Sequence, residues 1–283
     1  MPKILVKKEL AKGVKLFEVE APRIARKRKA GQFVVVRAGE RGERIPLTIA
    51  GSDPARGSIT LVFQEAGKST IEMGRMEAGE ELLDVAGPLG RPTHVERFGV
   101  VAAIGGGIGV APVKPIAEAM KAAGNRVIGI IGARTKDLVI LEEEMRAASD
   151  ELLVSTDDGS YGRKGFVSDV LKGLLDAGRR IDLVVAIGPV PMMRAVVAVA
   201  KERNLPAVVS LNPIMVDGTG MCGGCRVTVG GQTKFVCVDG PEFDGHKVDF
   251  DELVKRQATY KAEEAESRRI FDEGCRLAGE GRG

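Results

Sequence analysis

Residues 100–112 read VVAAIGGGIGVAP, and this stretch decides the fold of the chain. Its first five residues form an apolar run typical of a buried strand, and helical sequence begins at its final proline. Glycines between a strand and a helix let the backbone approach a pyrophosphate, while the helix N-terminus supplies amides and the positive end of its dipole. The loop therefore predicts a dinucleotide site with these candidate contacts: Gly105, Gly106, Gly107, Gly109 and Pro112.

The segment around this loop, residues 98–205, alternates strand-like and helical runs with short connections. That alternation predicts a doubly wound parallel sheet covered by helices on both faces. About 20 residues past the loop, where a carboxylate usually holds the ribose, the second strand ends without one, which indicates a variant site. Ligands of such sheets lie at the carboxyl ends of the strands. The further candidates at these ends are Gly132, Arg134, Asp157, Asp158, Gly188 and Pro189.

Residues 1–97 hold short strand-like runs separated by turn signals. This spacing predicts a closed antiparallel barrel of six strands with one small helix. Residues 67–70 (GKST) open that helix and imitate the end of a P-loop, but Val62 stands where the motif needs a glycine. A glycine, a lysine and two hydroxyls at a helix N-terminus still predict a second phosphate site.

A third segment, residues 206–247, contains three of the four cysteines. Cys222, Cys225 and Cys237 follow Asp217 with the spacing x4, x2 and x11. Cys-x4-Cys-x2-Cys with a fourth cysteine further on is the spacing that wraps a plant-type 2Fe–2S cluster. We therefore interpret this lobe as a 2Fe–2S site with one oxygen ligand, Asp217, and three sulfur ligands.

Other interpretations of these cysteines stay open. A Cys-x2-Cys pair is also half of a zinc site or a dithiol redox motif. His246, nine residues past Cys237, fits no common finger spacing. Cys275 is the rival fourth ligand, but it lies in the charged segment 248–283, which we expect to form a helical tail with an ordinary free thiol.

Composition excludes several classes of protein. The net charge of +3 suggests neither nucleic acid nor an acidic surface as a partner. No secretory leader opens the chain, and no apolar run reaches the roughly 18 residues of a membrane span. Cysteines with metal-like spacing favour a cytoplasmic protein over a disulfide framework. Residues 23–29 (RIARKRK) predict a solvated loop between two strands in preference to a basic docking patch.

The order of barrel, nucleotide sheet and cysteine lobe resembles the ferredoxin–NADP reductase superfamily over essentially the whole chain. Within it, the chain is similar to the electron-transfer subunits of two-chain dihydroorotate dehydrogenase. It is most similar to the small (alpha) subunits of NADH-dependent ferredoxin:NADP oxidoreductase, an electron-bifurcating transhydrogenase whose relatives are also called sulfide dehydrogenase. Asp217 stands where the dihydroorotate branch has cysteine, and this difference favours the transhydrogenase branch.

The resemblance implies FAD bound on the barrel and NAD(H) on the sheet. Residues 44–48 (RIPLT) match the flavin motif, residues 67–70 match the segment that holds the flavin pyrophosphate, and Met192 belongs with the turn at residues 188–189. The flavin candidates are Arg44, Pro46, Leu47, Thr48, Gly67, Lys68, Ser69 and Thr70. Hydride transfer itself needs no acid–base residue, and none is nominated.

The resemblance also implies a heterodimer. Its partner would be a larger flavin and iron–sulfur subunit that binds NADP and ferredoxin, with the 2Fe–2S cluster carrying electrons between the chains. The alternatives are the electron-transfer subunit of an NAD-dependent dihydroorotate dehydrogenase, a sulfide dehydrogenase subunit, or a non-enzymatic module that holds zinc or a regulatory nucleotide.

Overall fold

An antiparallel barrel forms the N-terminal part of the fold. The structure is a computed structural model that describes residues 1–40 and 42–280, with the side chains of 274–280 left out. The barrel strands, in spatial order β1-β2-β5-β4-β3-β6, are β1 (Ile4–Ala11), β2 (Val14–Glu20), β3 (Phe33–Arg37), β4 (Ile45–Asp53), β5 (Ser58–Gln64) and β6 (Asp84–Leu89). Every neighbouring pair is antiparallel.

Backbone hydrogen bonds close the barrel where its two outer strands meet. Ile4 N donates to Glu80 O at 2.9 Å, and Leu82 N donates to Pro2 O at 2.9 Å. Closure removes the exposed edges that an open sheet would present. The side chains of β5 alternate inward, and Phe63 meets Phe17 edge-to-face with ring centroids 5.0 Å apart. The predicted six-stranded barrel is confirmed.

One prediction for the barrel was wrong. The basic run at residues 23–29 is mostly helical, because it includes α1 (Pro22–Lys27). Pro22 suits the first turn of a helix, and Ile24 and Ala25 are buried against the barrel, so the apolar pair outweighs the surrounding charge. The predicted small helix is α2 (Lys68–Arg75).

A seven-stranded sheet follows, in the order β10-β9-β8-β7-β11-β12-β15, where β15 is Glu242–Asp244. Its parallel strands are β7 (Val100–Gly106), β8 (Arg126–Ala133), β9 (Glu151–Thr156), β10 (Arg163–Lys164), β11 (Leu183–Ile187) and β12 (Ala207–Ser210). The helices between them are α3 (Val110–Ala122), α4 (Glu142–Ala148), α5 (Val167–Asp176) and α6 (Val190–Glu202).

The two faces of the sheet have separate cores. Val101 and Ala103 of β7 pack with α3 and α4, whereas Ala102 and Ile104 pack with α5 and α6. A strand buried on both faces needs apolar side chains at every position, which is why β7 is a continuous apolar run. The predicted doubly wound sheet is confirmed.

The cysteine lobe is attached to one edge of this sheet. Its elements are β13 (Arg226–Val229), β14 (Gln232–Phe235), α7 (Val236–Asp239) and β15 (Glu242–Asp244). The hairpin of β13 and β14 turns through Gly230 and Gly231, which both have positive φ. Because β15 pairs antiparallel with β12, the sheet continues past residue 205 into the lobe. The domain boundaries at 97, 205 and 247 remain predictions.

The C-terminal tail forms two helices, α8 (Phe250–Gln257) and α9 (Lys261–Glu280). Asp249 caps α8, since its carboxylate accepts from Glu252 N at 2.9 Å. The second helix lies on the barrel helix α2, where the Arg75 guanidinium stands 4.8 Å from the centre of the Phe271 ring. The side chain of Cys275 lies outside the described residues.

Among the helices that the structure describes, none is both long and apolar enough to cross a membrane.

A carboxyl group joins the barrel to the sheet. Glu242 on β15 accepts a hydrogen bond from the Thr93 hydroxyl at 2.6 Å. Burial at this junction raises the pKa of Glu242 from 4.5 to about 7, and the Thr93 hydrogen bond opposes that shift in part. Gly31 of the barrel packs here with φ +80°, and a Cβ on it would collide with both side chains.

We expect Glu242→Gln to remove a pH-dependent loss of stability. The folded-state pKa of Glu242 is raised, so the free energy of unfolding falls as the pH rises from about 4.5 to 7. The amide keeps an acceptor for Thr93 without the charge, so the variant should be more stable than wild type by roughly 1–3 kcal/mol at pH 8 and equal to it near pH 4.5. Urea unfolding across this range measures the difference. Substitution of the exposed Glu20 by Gln serves as the control. If the free energy of unfolding of Glu242→Gln fell with pH as steeply as that of wild type, the raised pKa of Glu242 would not be the cause of the fall.

Candidate functional site

A cavity of about 590 Å³ lies at the carboxyl ends of the parallel strands. The structure brings these predicted residues together around it: Gly106, Gly107, Gly132, Arg134, Asp157, Pro189 and Met192. Gly107 has φ +55° with open space where a side chain would lie, so its backbone is free for close approach by a ligand. The cavity is the size of a small-molecule site and sits where doubly wound sheets bind nucleotides.

Other predicted residues near the loop do not line the cavity. Gly105 lies beneath it, where a Cβ would come within 2.8 Å of Val110 Cα, and a Cβ on Gly109 would collide with the Ile187 carbonyl oxygen. These two glycines allow α3 to pack closely on the strands. Gly188 and Pro112 likewise stand outside the lining, and Asp158 closes a turn by accepting from Ser160 N at 2.9 Å.

The lining also contains residues that sequence reasoning missed. Val14 and Gln64 belong to paired positions of β2 and β5, so the cavity lies between the barrel and the sheet. Phe166, which is 60% exposed, and Ser168 stand at the start of α5. None of them belongs to a motif. A large aromatic residue just before a helix, such as Phe166, could have been noted as a candidate binding residue, but only the tertiary fold shows that it lines the cavity.

The flavin candidates form two neighbouring segments of the barrel. Pro46, Leu47 and Thr48 lie on β4, with Leu47 buried and the other two partly buried, and Arg44 is exposed just before the strand. The second segment is the start of α2. The two are joined by Glu43, which sequence reasoning missed and whose carboxylate accepts from the Ser69 hydroxyl.

The start of α2 is internally capped. Thr70 Oγ1 accepts from the backbone N–H groups of Ala66 at 3.0 Å and Gly67 at 3.1 Å. Gly67 is exposed with open space around its Cα, and Lys68 is the first residue of the helix. Positive charge and free space at a helix N-terminus fit an anionic group such as the FAD pyrophosphate.

The cluster candidates come together as two close pairs. Cys222 Sγ lies 3.0 Å from Asp217 Oδ1, and Cys225 Sγ lies 3.3 Å from Cys237 Sγ. Two backbone amides point at the sulfurs, Gly224 N at Cys222 and Cys237 N at Cys225, each at 3.4 Å. Within the described residues, no group of three or more His, Cys, Asp or Glu side chains is gathered for a single metal ion.

This pairing distinguishes the two metal hypotheses. A structural zinc ion needs four donors converging on one point, whereas a 2Fe–2S cluster is held by four donors shared between two irons. His246, the histidine nearest in sequence, has its Nε2 2.9 Å from Leu205 O. The donor set of two pairs, with amides donating to sulfur, fits a two-iron cluster.

Charge in the loop is set by burial and by hydrogen bonds. The Cys222 thiol, the Thr219 hydroxyl and the Met221 amide hold the pKa of the Asp217 carboxyl far below its usual range, so it is ionised and ready to act as a ligand. Burial, followed by its contact with Cys225, raises the pKa of Cys237 to about 12. A buried thiol with a raised pKa, such as Cys237, loses its proton when it binds a metal ion such as iron.

Residues 217–225, here called the cluster loop, lie directly on the barrel. Gly218, next to Asp217, has φ +75°, and a Cβ on it would come within 2.8 Å of Val35 on β3 and 3.1 Å of Leu89 on β6. Only glycine fits this close approach. The loop, the barrel and the cavity are therefore in continuous contact.

Substitution of Asp217 tests its role as a ligand. We expect Asp217→Cys to keep a cluster but to change its visible spectrum and lower its potential, because thiolate donates more charge to iron than carboxylate does. Asp217→Ala should lose most of the bound iron, whereas Thr219→Val, the control, should retain it. Iron content, absorbance and a redox titration measure these effects. An unchanged spectrum and potential in Asp217→Cys would mean that Asp217 does not touch iron and would make Cys275 the candidate for the fourth ligand.

Comparison with known proteins agrees with this arrangement. Residues 212–249 match the family model described as the iron–sulfur cluster binding domain of dihydroorotate dehydrogenase B, and residues 103–198 match the oxidoreductase NAD-binding domain. A Thermotoga maritima protein named as a dihydroorotate dehydrogenase B (NAD(+)) electron transfer subunit homolog is 48% identical, over 98% of this chain and 96% of its own. The Bacillus mycoides electron transfer subunit of dihydroorotate dehydrogenase B is 34% identical, over 85% of this chain and 94% of its own.

A solved structure is also similar over nearly the whole chain. It comes from a study of flavin-based electron bifurcation in an NADH-dependent reduced ferredoxin-NADP oxidoreductase, and it aligns with a TM-score of 0.92 and 47% identity. The alignment covers 96% of this chain and 98% of that chain. The protein is thus an oxidoreductase chain of the ferredoxin–NADP reductase superfamily, and it belongs to the family of the dihydroorotate dehydrogenase B electron-transfer subunits and their homologues.

Proposed function

We propose that this chain is the electron-transfer subunit of an NADH-dependent ferredoxin:NADP oxidoreductase, with FAD on the barrel and a 2Fe–2S cluster in the C-terminal lobe. The observation that carries the proposal is spatial order. The nucleotide cavity lies between sheet and barrel, and the cluster loop lies against the barrel through Gly218. The barrel is therefore in contact with both the electron donor's site and the cluster.

The residues of the chain bind and position the cofactors. Gly106 and Gly107 present backbone to the dinucleotide, and Val14 and Gln64 bring the barrel to the same cavity. When bound, FAD would supply the conversion between two-electron hydride chemistry and one-electron transfer. The two donor pairs, Asp217 with Cys222 and Cys225 with Cys237, would hold the 2Fe–2S cluster, which supplies one-electron chemistry, next to β3 and β6.

Sequence identity relates this chain to that branch of the family more closely than to the Bacillus subunit. The solved ferredoxin-NADP oxidoreductase chain is 47% identical over 96% of this chain, whereas the Bacillus mycoides subunit is 34% identical over 85%. The dihydroorotate branch has a cysteine at the position of Asp217, so the oxygen ligand that we propose there also distinguishes this chain from that branch. We propose a larger flavin and iron–sulfur subunit as partner, one that binds NADP and ferredoxin.

We place this complex in the cytoplasm, because iron ligation requires reduced thiols and the three cysteines with described side chains are all free.

A second function has specific support. The family model that matches residues 212–249 is that of dihydroorotate dehydrogenase B, and the curated relatives carry that name. The alternative is therefore an electron-transfer subunit that serves a dihydroorotate-oxidising partner. The two functions differ in the substrate of the partner subunit and share the chemistry of this chain.

Two measurements test the proposal. The purified chain should absorb in the visible as flavin plus 2Fe–2S and should be bleached by NADH, and a colourless protein would rule out both cofactors. The complex with the proposed larger subunit should reduce NADP with NADH and reduced ferredoxin as electron donors. Reduction of NAD by dihydroorotate in the same complex would instead establish the second function.

Asp157 provides a prediction about nucleotide preference. It lines the cavity, and its negative charge would repel the 2′-phosphate of NADPH while Arg134 stands nearby to attract it. Asp157→Ser should raise kcat/KM for NADPH relative to NADH about tenfold, which is about 1.4 kcal/mol. Asp158→Ser is the matched control, because that carboxylate is held by Ser160 away from the lining. Equal changes of this ratio in the two variants would show that Asp157 does not discriminate between NADH and NADPH.

A further inference from the structure

Helix α8 lies just outside the matched iron–sulfur domain, which ends at residue 249, yet it holds the cluster loop. Its Leu253 is fully buried and fixes the helix in the core. Glu252 on the same helix accepts from Thr228 N at 3.0 Å, so α8 is tied to the strand that follows Cys225. These two contacts anchor the helix on the lobe independently of the contacts that its other side chains make with the loop.

Two further side chains of α8 contact the loop itself. Gln257 Nε2 donates to Asn212 O at 2.9 Å, on the segment that leads into Asp217. Arg256 Nη2 donates to Gly224 O at 3.1 Å, inside the Cys-Gly-Gly-Cys turn. The helix thus holds the loop on both sides of the ligand pair Asp217 and Cys222.

Arg256 is the charged group in this set. Gly224, whose carbonyl it binds, donates its own N–H to Cys222 Sγ at 3.4 Å, so one residue separates the guanidinium from a ligand sulfur. The Arg256 side chain is partly buried, and among the described residues its buried Nε has no hydrogen-bond partner. A buried N–H without a partner is costly, and in this position it is available to an electron-rich neighbour.

The fixed charge has a direct consequence for the cluster. Arginine stays protonated at every accessible pH, and partial burial reduces the screening of its charge by water and salt. A cluster becomes more negative by one charge when it accepts an electron. A nearby cation stabilises the reduced form more than the oxidised form, and this raises the reduction potential.

We propose that Arg256 is a positioning residue that fixes Gly224 and raises the reduction potential of the 2Fe–2S cluster. The inference rests on the proposed presence of that cluster. It gives the C-terminal tail a role in electron transfer, since α8 lies outside the matched iron–sulfur domain and supplies a partly buried charge beside Gly224.

The test compares three variants by redox titration of the cluster followed by EPR. Arg256→Gln should lower the potential by the equivalent of about a tenfold change in the equilibrium constant, about 59 mV for one electron. Arg256→Lys keeps the charge and should stay within threefold of wild type. Arg226→Gln is the matched control, because the exposed Arg226 donates to the adjacent carbonyl of Gly223 at 3.2 Å, and it should also stay within threefold.

Each outcome has a defined meaning. A wild-type potential in Arg256→Gln, or an equal fall in Arg226→Gln, would overturn the proposal. If Arg256→Gln binds no iron, Arg256→Lys decides: a cluster with a near wild-type potential supports the proposal, and loss of the cluster there too overturns it. A wild-type chain without any cluster would contradict the proposed function itself, so the two failures are distinguishable.

Discussion

The close approach of the cluster loop to the barrel is the contact on which the rest of the structure depends. Gly218 packs against Val35 and Leu89 at a distance that leaves no room for a side chain. Single-electron transfer needs its donor and acceptor near each other. The attachment of the lobe to the sheet through β15 and β12, and the hold of α8 on the loop, both keep this contact in place.

The pairing of the candidate donors would let the segment from Asp217 to Cys237 hold two irons. Asp217 and Cys222 form an outer pair whose thiol is exposed, and Cys225 and Cys237 form an inner pair that is buried. The outer pair faces solvent and the inner pair faces the core, so the two irons would have different surroundings. This asymmetry belongs to the fold of the loop and follows from which cysteine lies on which side of the Gly223–Gly224 turn.

Much of this arrangement was predictable from local sequence, and the failures have physical reasons. The barrel, the sheet and the ligand spacing each follow from short-range patterns such as the apolar run at residues 100–104. The helix α1 was missed because the burial of Ile24 and Ala25 against the barrel, which stabilises it, depends on the tertiary fold. Glu43 and Phe166 were missed because their roles depend on neighbours far away in the chain.

The sequence by itself determined which chemistry the chain carries: a glycine loop after a buried strand, and a carboxylate and three cysteines at cluster spacing. These depend on backbone conformation and ligand type, which neighbouring residues encode. Only the tertiary structure decided how the sites are connected, through the barrel residues in the nucleotide cavity, the packing of Gly218 and the reach of Arg256 to Gly224. Those contacts join residues that are distant in sequence, and packing of the whole chain is what brings them together.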